Sequence, residues 1–450
     1  VAGVNAGNSI VSGGNYNTLV GDEAGTAVTT GAENTAVGKG ALQNNTTGGD
    51  NVAVGLNALV SQTTGSSSVA IGKESLQNNT TGGSNVAIGK DTLKGNTTGS
   101  DNTAVGKDSL RSNTTANNNT AVGGAALQAN TTGTENTSVG SVSLDANTTG
   151  DRNTAVGHES LGSNTTADNN TGVGYGALNA NTTGANNTAV GSGALEINTT
   201  GAYNSAFGHH TLDANTTGSY NTATGRASLG YNTTGQFNSA AGYVSLLNNT
   251  TGQKNTGSGA YSGANLSTGI ENTFIGYNAG GTRTTGSNNV CIGYNSGHDG
   301  TTSSDLLFIA RNNTGPSNAA TWIFGDSAGA CRQGNNATTW TQTSDERIKK
   351  NIVDSPNGLA KIDALQVRNF NYRTEEEITV EGLTGCDATG LQVGVIAQEI
   401  EAVLPEAVTE SDSGQKQVQT DPIFWSMVKA IQELSAQNAA LEARLTALEE

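Results

Sequence analysis

Six carboxylates, Glu33, Asp50, Asp101, Glu135, Asp151 and Asp168, recur just ahead of a repeating asparagine in this 450-residue sequence. Glycan cleavage needs two carboxyl groups on facing surfaces, one as acid and one as base or nucleophile. These six sit at variable, solvent-like positions and form no matched pair, so a glycan-binding or glycan-cleaving protein is only the alternative. His158, His209, His210 and His298 share no spacing and read as surface residues. Cys291, Cys331 and Cys386 are widely separated, odd in number and without zinc-ligand or redox spacing; they read as small buried apolar residues. The Asp-containing nonapeptide of calcium-binding β-rolls is absent. No metal and no cofactor is expected.

Twelve N-T-T segments satisfy the N-glycosylation sequon. Their chemistry is also that of a turn, in which Asn and Thr bond to nearby backbone and Gly takes the unusual backbone angle. Repeated Thr-Thr pairs raise ice binding as another alternative. Adjacent threonines on a strand face opposite sides, which opposes a flat threonine face.

All these residues are placed by one register. Asn17, Asn34, Asn51, Asn85 and so on to Asn289 recur every 17 residues, with Ser68 the one interruption and a glycine four positions after each. Such constancy of length is the mark of a solenoid, because one extra residue displaces every ladder above it. The expected fold is mainly β: a parallel β-solenoid (β-roll) of 17-residue coils, followed by a small α/β domain and a C-terminal coiled-coil helix. At one strand spacing per coil, seventeen coils span on the order of 80 Å.

Composition agrees. Only 13% of residues are charged and 4% aromatic, with 62 glycines and four prolines, which fits neither a solvated tail nor a collagen-like helix. The net charge of −17 opposes nucleic acid or an anionic membrane as partner. No apolar run is long enough to span a bilayer. The chain starts at Val1 and its one methionine is Met427, so a fragment or a processed mature form is expected.

The commonest coil reads N-T-A-V-G-x-x-x-L-x-x-N-T-T-G-x-x. Its β-branched column through Val37, Val54, Ile71 and Ile88 is expected to face inward, with small Ala on the opposite face. Leu42, Leu59 and their successors to Leu246 supply a second inward column. Stacked N-T-T-G turns are expected to align their asparagines into amide ladders. The first column turns to Phe207, Thr224, Ala241 and Ser258 before Ile275, which reads as a narrower or more exposed stretch. The N-T-A-V-G element resembles the head repeats of trimeric autotransporter adhesins. That resemblance implies three β-rolls about a threefold axis.

The remainder divides into a first segment, 1–16, as cap or fragment end, the solenoid over 17–300, and a closing coil and connector over 301–343. An α/β part over 344–420 and a helix over 421–450 follow. Leu306, Phe308, Ile309 and Ala310 read as the closing coil, and Trp322, Phe324 and Trp340 as the bulk of a cap, aromatics being nearly absent from the coils. At the end of the chain, Asp421 suits an N-cap and Pro422 the first helical position. Met427, Ile431, Leu434, Asn438, Leu441, Leu445 and Leu448 then alternate spacings of four and three, a heptad seam with one polar position. Self-association follows from that seam.

The segments S-D-E-R-I-K-K-N-I from Ser344, V-G-V-I-A-Q-E-I-E-A-V-L-P-E-A-V from Val393 and D-P-I-F-W-S-M-V-K-A-I-Q-E-L from Asp421 occur in that order. Together they resemble the endosialidase-type C-terminal intramolecular chaperone of phage tail fibres and tailspikes. The resemblance implies a homotrimer and self-cleavage by a serine and a lysine, which match Ser344 and Lys349, with Asp345 and Arg347 supporting the loop. A desolvated lysine can serve as base where no histidine is near. Either bond beside Ser344 is open to attack, and a purely structural motif is the alternative. The expected protein is therefore an extracellular fibre, on a virion or a bacterial surface, with a glycan or protein receptor and a domain that sets the register of its three chains.

Overall fold

The computed structural model describes residues 2–297, 302–311, 321–325, 331–333, 352–353, 355, 358–373, 377–378, 390–410 and 414–449. It divides into two units, Val1–Trp340 and Thr341–Glu450. The first is the solenoid. Seventeen three-residue strands, β1 (Thr18–Val20) through β17 (Val290–Ile292), recur at the 17-residue spacing of the sequence. Each pairs in parallel with the next at equivalent residues, as in Thr35↔Val52, Ala36↔Ala53 and Val37↔Val54. Stacking extends back to Ala2, which bridges Val20, and forward to β18 (Leu307–Ala310), which pairs in parallel with β17. The pairing then reverses: β19 (Thr321–Gly325) and β20 (Cys331–Gln333) are antiparallel.

The direction of the strand faces corrects the expectation from sequence. Ala36, Ala53, Ala70 and Ala87 are fully buried, whereas Val37, Ile71 and Ile88 are 37–39% exposed. The leucine column does face inward, fully buried from Leu42 to Leu246. Leucines reach across each thin coil and leave room only for alanine opposite them. The β-branched residues therefore stack on their own kind along the outside. The change at Phe207, Thr224, Ala241 and Ser258 is accordingly a change of outer surface, not of core.

Several residues in each coil turn the chain with a left-handed backbone, and the leucines themselves occupy one of these positions: Leu42, Leu59 and Leu76 have φ of 52°, 52° and 49°. Left-handed backbone disfavours a side chain by roughly 1–2 kcal/mol, which burial of a leucine, worth about 1.5–3 kcal/mol, offsets. The glycine after each strand has no such option. At Gly38, φ is 136° and an added Cβ would lie 2.5 Å from the carbonyl oxygen of Gly55 in the next coil.

Two polar ladders run through the interior. Asn34 Nδ2 donates to Asn17 Oδ1 (3.1 Å) and to the Gly48 carbonyl (3.0 Å), and Asn34 N also donates to Asn17 Oδ1. In the N-T-T-G turns, Asn96 Nδ2 donates to Asn79 Oδ1 (2.7 Å) and to the Gly99 carbonyl (2.9 Å). Buried amides are tolerated here because both hydrogens have partners.

At both ends of the array, volume moves from one column to the other. Leu19 takes the alanine position of its strand while Gly25 takes the leucine position, where a Cβ would meet Leu19 Cδ2 at 2.8 Å. Likewise Phe274, fully buried in β16 (Thr273–Ile275), lies against Gly263 and Gly280 in the leucine position.

The second unit is a small domain of short elements: α1 (Gly358–Ala364), β21 (Arg368–Phe370), β22 (Gln392–Gly394), α2 (Ala397–Val403), β23 (Val408–Glu410), β24 (Lys416–Val418) and α3 (Thr420–Glu449). β21 pairs with β22 and β23 with β24, both antiparallel. Ile400, Leu404 and Ala407 form its buried centre, with Leu365, Val395, Val408 and Ile423 packed around it.

Candidate functional site

The long helix α3 carries two faces with different fates. Its first turns are docked: Ser426 and Ala430 are buried. Gly358, at the start of α1, lies so close that an added Cβ would be 2.4 Å from Ala430 N. One turn on, Glu433 accepts from Gly358 N at 3.1 Å and Leu359 N at 2.8 Å, closing the exposed N–H groups that begin α1. Bonds from Leu359 and Gly358 hold the Glu433 carboxyl below the usual range for a glutamate. Outside this contact, ion pairs tie the domain together: Arg368 with Glu399, Lys361 with Glu406, and Lys416 with Glu401.

One residue on is about 100° of helix rotation, so the heptad seam lies on another face. Met427, Ile431 and Leu434 are 43%, 68% and 48% exposed. Leu441, Leu445 and Leu448 are 59%, 60% and 83% exposed, with Asn438 also in solvent. Such a row of large apolar side chains, unpartnered in one chain, marks an interaction surface. The helix begins at Thr420, so Asp421 and Pro422 lie inside its first turn instead of at the cap and first position expected from sequence. Among the described residues, no helix is long and apolar enough to cross a membrane.

Ser344, Asp345, Arg347 and Lys349 lie outside the described residues, as do His298, Trp340 and Cys386. Other candidates are placed. Glu33, Asp50, Asp101 and Glu135 are exposed. Asp151 and Asp168 are structural: Asp151 Oδ1 accepts from Thr134 N, and Asp168 Oδ1 accepts from Asp151 N. The asparagines of the N-T-T segments are buried, and in Asn96 both amide hydrogens are donated, which leaves no free amide for a glycan on the folded coil. The first threonine of each pair turns inward to bond the next coil, as Thr46 Oγ1 does to the Thr63 carbonyl, and the second, such as Thr47, is exposed.

Aromatic residues on the coils were missed as a pattern. Tyr203, Tyr220 and Phe237, each 17 apart, stack with centroids 5.0 Å apart and planes within 3°. Tyr243, Tyr261, Tyr277 and Tyr294 form a second exposed row. The 17-residue spacing of the first row was the available signal.

Residues 344–409 match the family model Peptidase_S74, described as chaperone of endosialidase. The C-terminal part of the chain thus carries a domain of that family, joined to a long β-solenoid.

Proposed function

We propose that this chain forms a homotrimeric extracellular fibre, of the phage tail-fibre or surface-adhesin type, whose C-terminal domain assembles it and cuts beside Ser344. The observation that carries the reading is the solvent-exposed heptad seam of α3, directly after a domain of the endosialidase-chaperone family. A coiled coil of three such helices buries that seam and holds three chains in one register. The solenoid gives this task its urgency. Its coils are near-equivalent and their parallel pairing is non-local, so misregistered pairing competes with correct pairing during folding.

In this reading Ser344 is the nucleophile and Lys349 its base, with Asp345 and Arg347 positioning the loop. The exposed aromatic rows of the distal coils support an attachment role towards a glycan or protein receptor on a cell surface.

Light scattering combined with intact-mass measurement on wild type and Ser344→Ala tests both parts. Three chains per particle are expected, with the C-terminal domain severed only in wild type. A monomer refutes the assembly role, and the same full-length mass in both proteins refutes the cleavage.

A further inference from the structure

Along one edge of the solenoid, two positions flank each inward leucine: one two residues before it and one directly after it. Near the N-terminal end these positions form an internal ion cluster. Lys94, directly after Leu93, places Nζ 2.5 Å from Glu74 and 3.0 Å from Asp91. The ammonium thus sits between two stacked acids, each of which also pairs with a second lysine, Glu74 with Lys73 and Asp91 with Lys90.

Seven coils further on, the same positions are filled differently. Glu196 and Asp213 follow Leu195 and Leu212, one directly above the other, and His210 precedes Leu212 by two. The donor atoms of all three lie within 4.8 Å of one another. The residue facing His210 from the preceding coil is Gly193, with no side chain to intrude. A Cβ there would stand 2.7 Å from His210 Nδ1 and 3.2 Å from a Glu196 carboxylate oxygen. The chain supplies two carboxylates and an imidazole where, upstream, it supplied a lysine between acids.

His210 Nδ1 is the second pointer. That one atom is shielded and makes no hydrogen bond, although it lies 3.1 Å from Asp213 Oδ2, while the His210 and Asp213 side chains as a whole are 44% and 36% exposed. A shielded nitrogen without a partner normally costs stability. About 3 Å is, however, the separation expected of two donors each some 2.0–2.2 Å from one zinc ion. A cavity of about 230 Å³, lined by His210, Asp213, Gly230 and Tyr231 among others, opens beside the cluster and has room for coordinated water.

We infer that Glu196, His210 and Asp213 bind one divalent transition-metal ion. One nitrogen and two carboxylate oxygens suit zinc or its first-row neighbours better than calcium, which prefers oxygen alone. The ligands come from two adjacent coils, so the ion staples one coil to the next and supplies the positive charge that Lys94 provides upstream.

The test is zinc titration by calorimetry on the untagged full chain, with cobalt absorption as the spectroscopic readout. One zinc per chain is expected. His210→Ala and Asp213→Asn should each weaken binding by at least about tenfold, while His158→Ala, at another surface histidine beside an acid, should leave it unchanged. Unchanged circular dichroism in each variant confirms that the coils remain folded. No zinc uptake by wild type, or equal uptake by the two site variants, overturns the inference. So does loss of binding in His158→Ala alone.

Discussion

Phe274 and its two facing glycines make the packing argument quantitative. The ring is fully buried, and Cβ atoms at Gly263 and Gly280 would lie 2.5 Å from Cδ2 and 2.4 Å from Cδ1. Phe274→Ala alone empties that space and should cost about 3–5 kcal/mol. Gly280→Leu alone forces a side chain into the ring and should cost about 1–3 kcal/mol or more. Its backbone is not the obstacle, since Gly280 has φ of 62° and Leu246, at the equivalent position, adopts 50°. Combined, the two changes rebuild the alanine-leucine pairing of the central coils. The double variant should then cost no more than about 2 kcal/mol, a favourable coupling of roughly 2 kcal/mol or more. Long repeat arrays do not unfold in one step, so the readout is native-state hydrogen exchange of the segment around Phe274 in the full chain. Costs that add to within about 0.5 kcal/mol would refute complementary packing.

A second exchange of volume lies in the amide ladders. Where Ser68 replaces the usual asparagine, Gln62 Nε2 reaches Asn51 Oδ1 at 3.0 Å and supplies the missing donor. Ser68→Asn alone should destabilise by about 1–3 kcal/mol through crowding against Gln62, and Gln62→Asn in the same chain should reverse most of it. Local hydrogen exchange near Asn51 reads both, and a Gln62→Asn change without effect on Ser68→Asn sinks the pairing. The Glu433 carboxyl, held below its ordinary value by two backbone N–H groups, predicts acid sensitivity of the C-terminal unit. A depressed acid contributes stability above its unfolded pKa, and that contribution disappears as pH falls through the folded value. The helical circular dichroism signal should therefore melt earlier as pH drops below about 4, and Glu433→Gln should flatten that dependence. A Glu433→Gln protein with the wild-type pH profile refutes the assignment.

The repeat made the solenoid legible because register is a matter of counting, and each strand does fall where Thr-Ala-Val recurs. The facing of those strands was not legible. A three-residue strand presents one residue inward, too few to show alternation, and the most apolar residue is the one that the core has no room for. Leu42 could be read as buried, but nothing in its type announces a left-handed backbone. The swaps at Leu19 with Gly25 and Phe274 with Gly263 were equally hidden, since a glycine in place of leucine reads as a loss until its neighbour across the coil is known. Glu196, His210 and Asp213 are separated by 14 and 3 residues, a spacing that means proximity only once the coil is folded. Aromatic rows were overlooked because sparse residues look unrelated until a fixed period stacks them.

Apart from the break between Asn45 and Gln62 and the serine at Ser68, the rungs of both amide ladders point the same way. Asn96 donates back to Asn79, and Asn34 back to Asn17, so these side-chain carbonyls are directed towards the C-terminal coils. The solenoid therefore has electrical polarity, its side-chain dipoles adding head to tail much as peptide dipoles do along a helix. The N-T-T-G ladder ends at Asn249, whose Oδ1 has no hydrogen-bond partner because Leu266 follows in the column. One coil beyond, the same column holds Arg283, fully buried, donating from Nη1 to the Ser303 carbonyl and lying 5.4 Å from the Phe308 ring centroid. Among the described residues, Arg283 is thus the one fully buried cation, two coils past the oxygen-rich end of the stack. The two ends of the array are electrostatically unlike, and a second solenoid laid beside this one in the opposite sense would meet a reversed field.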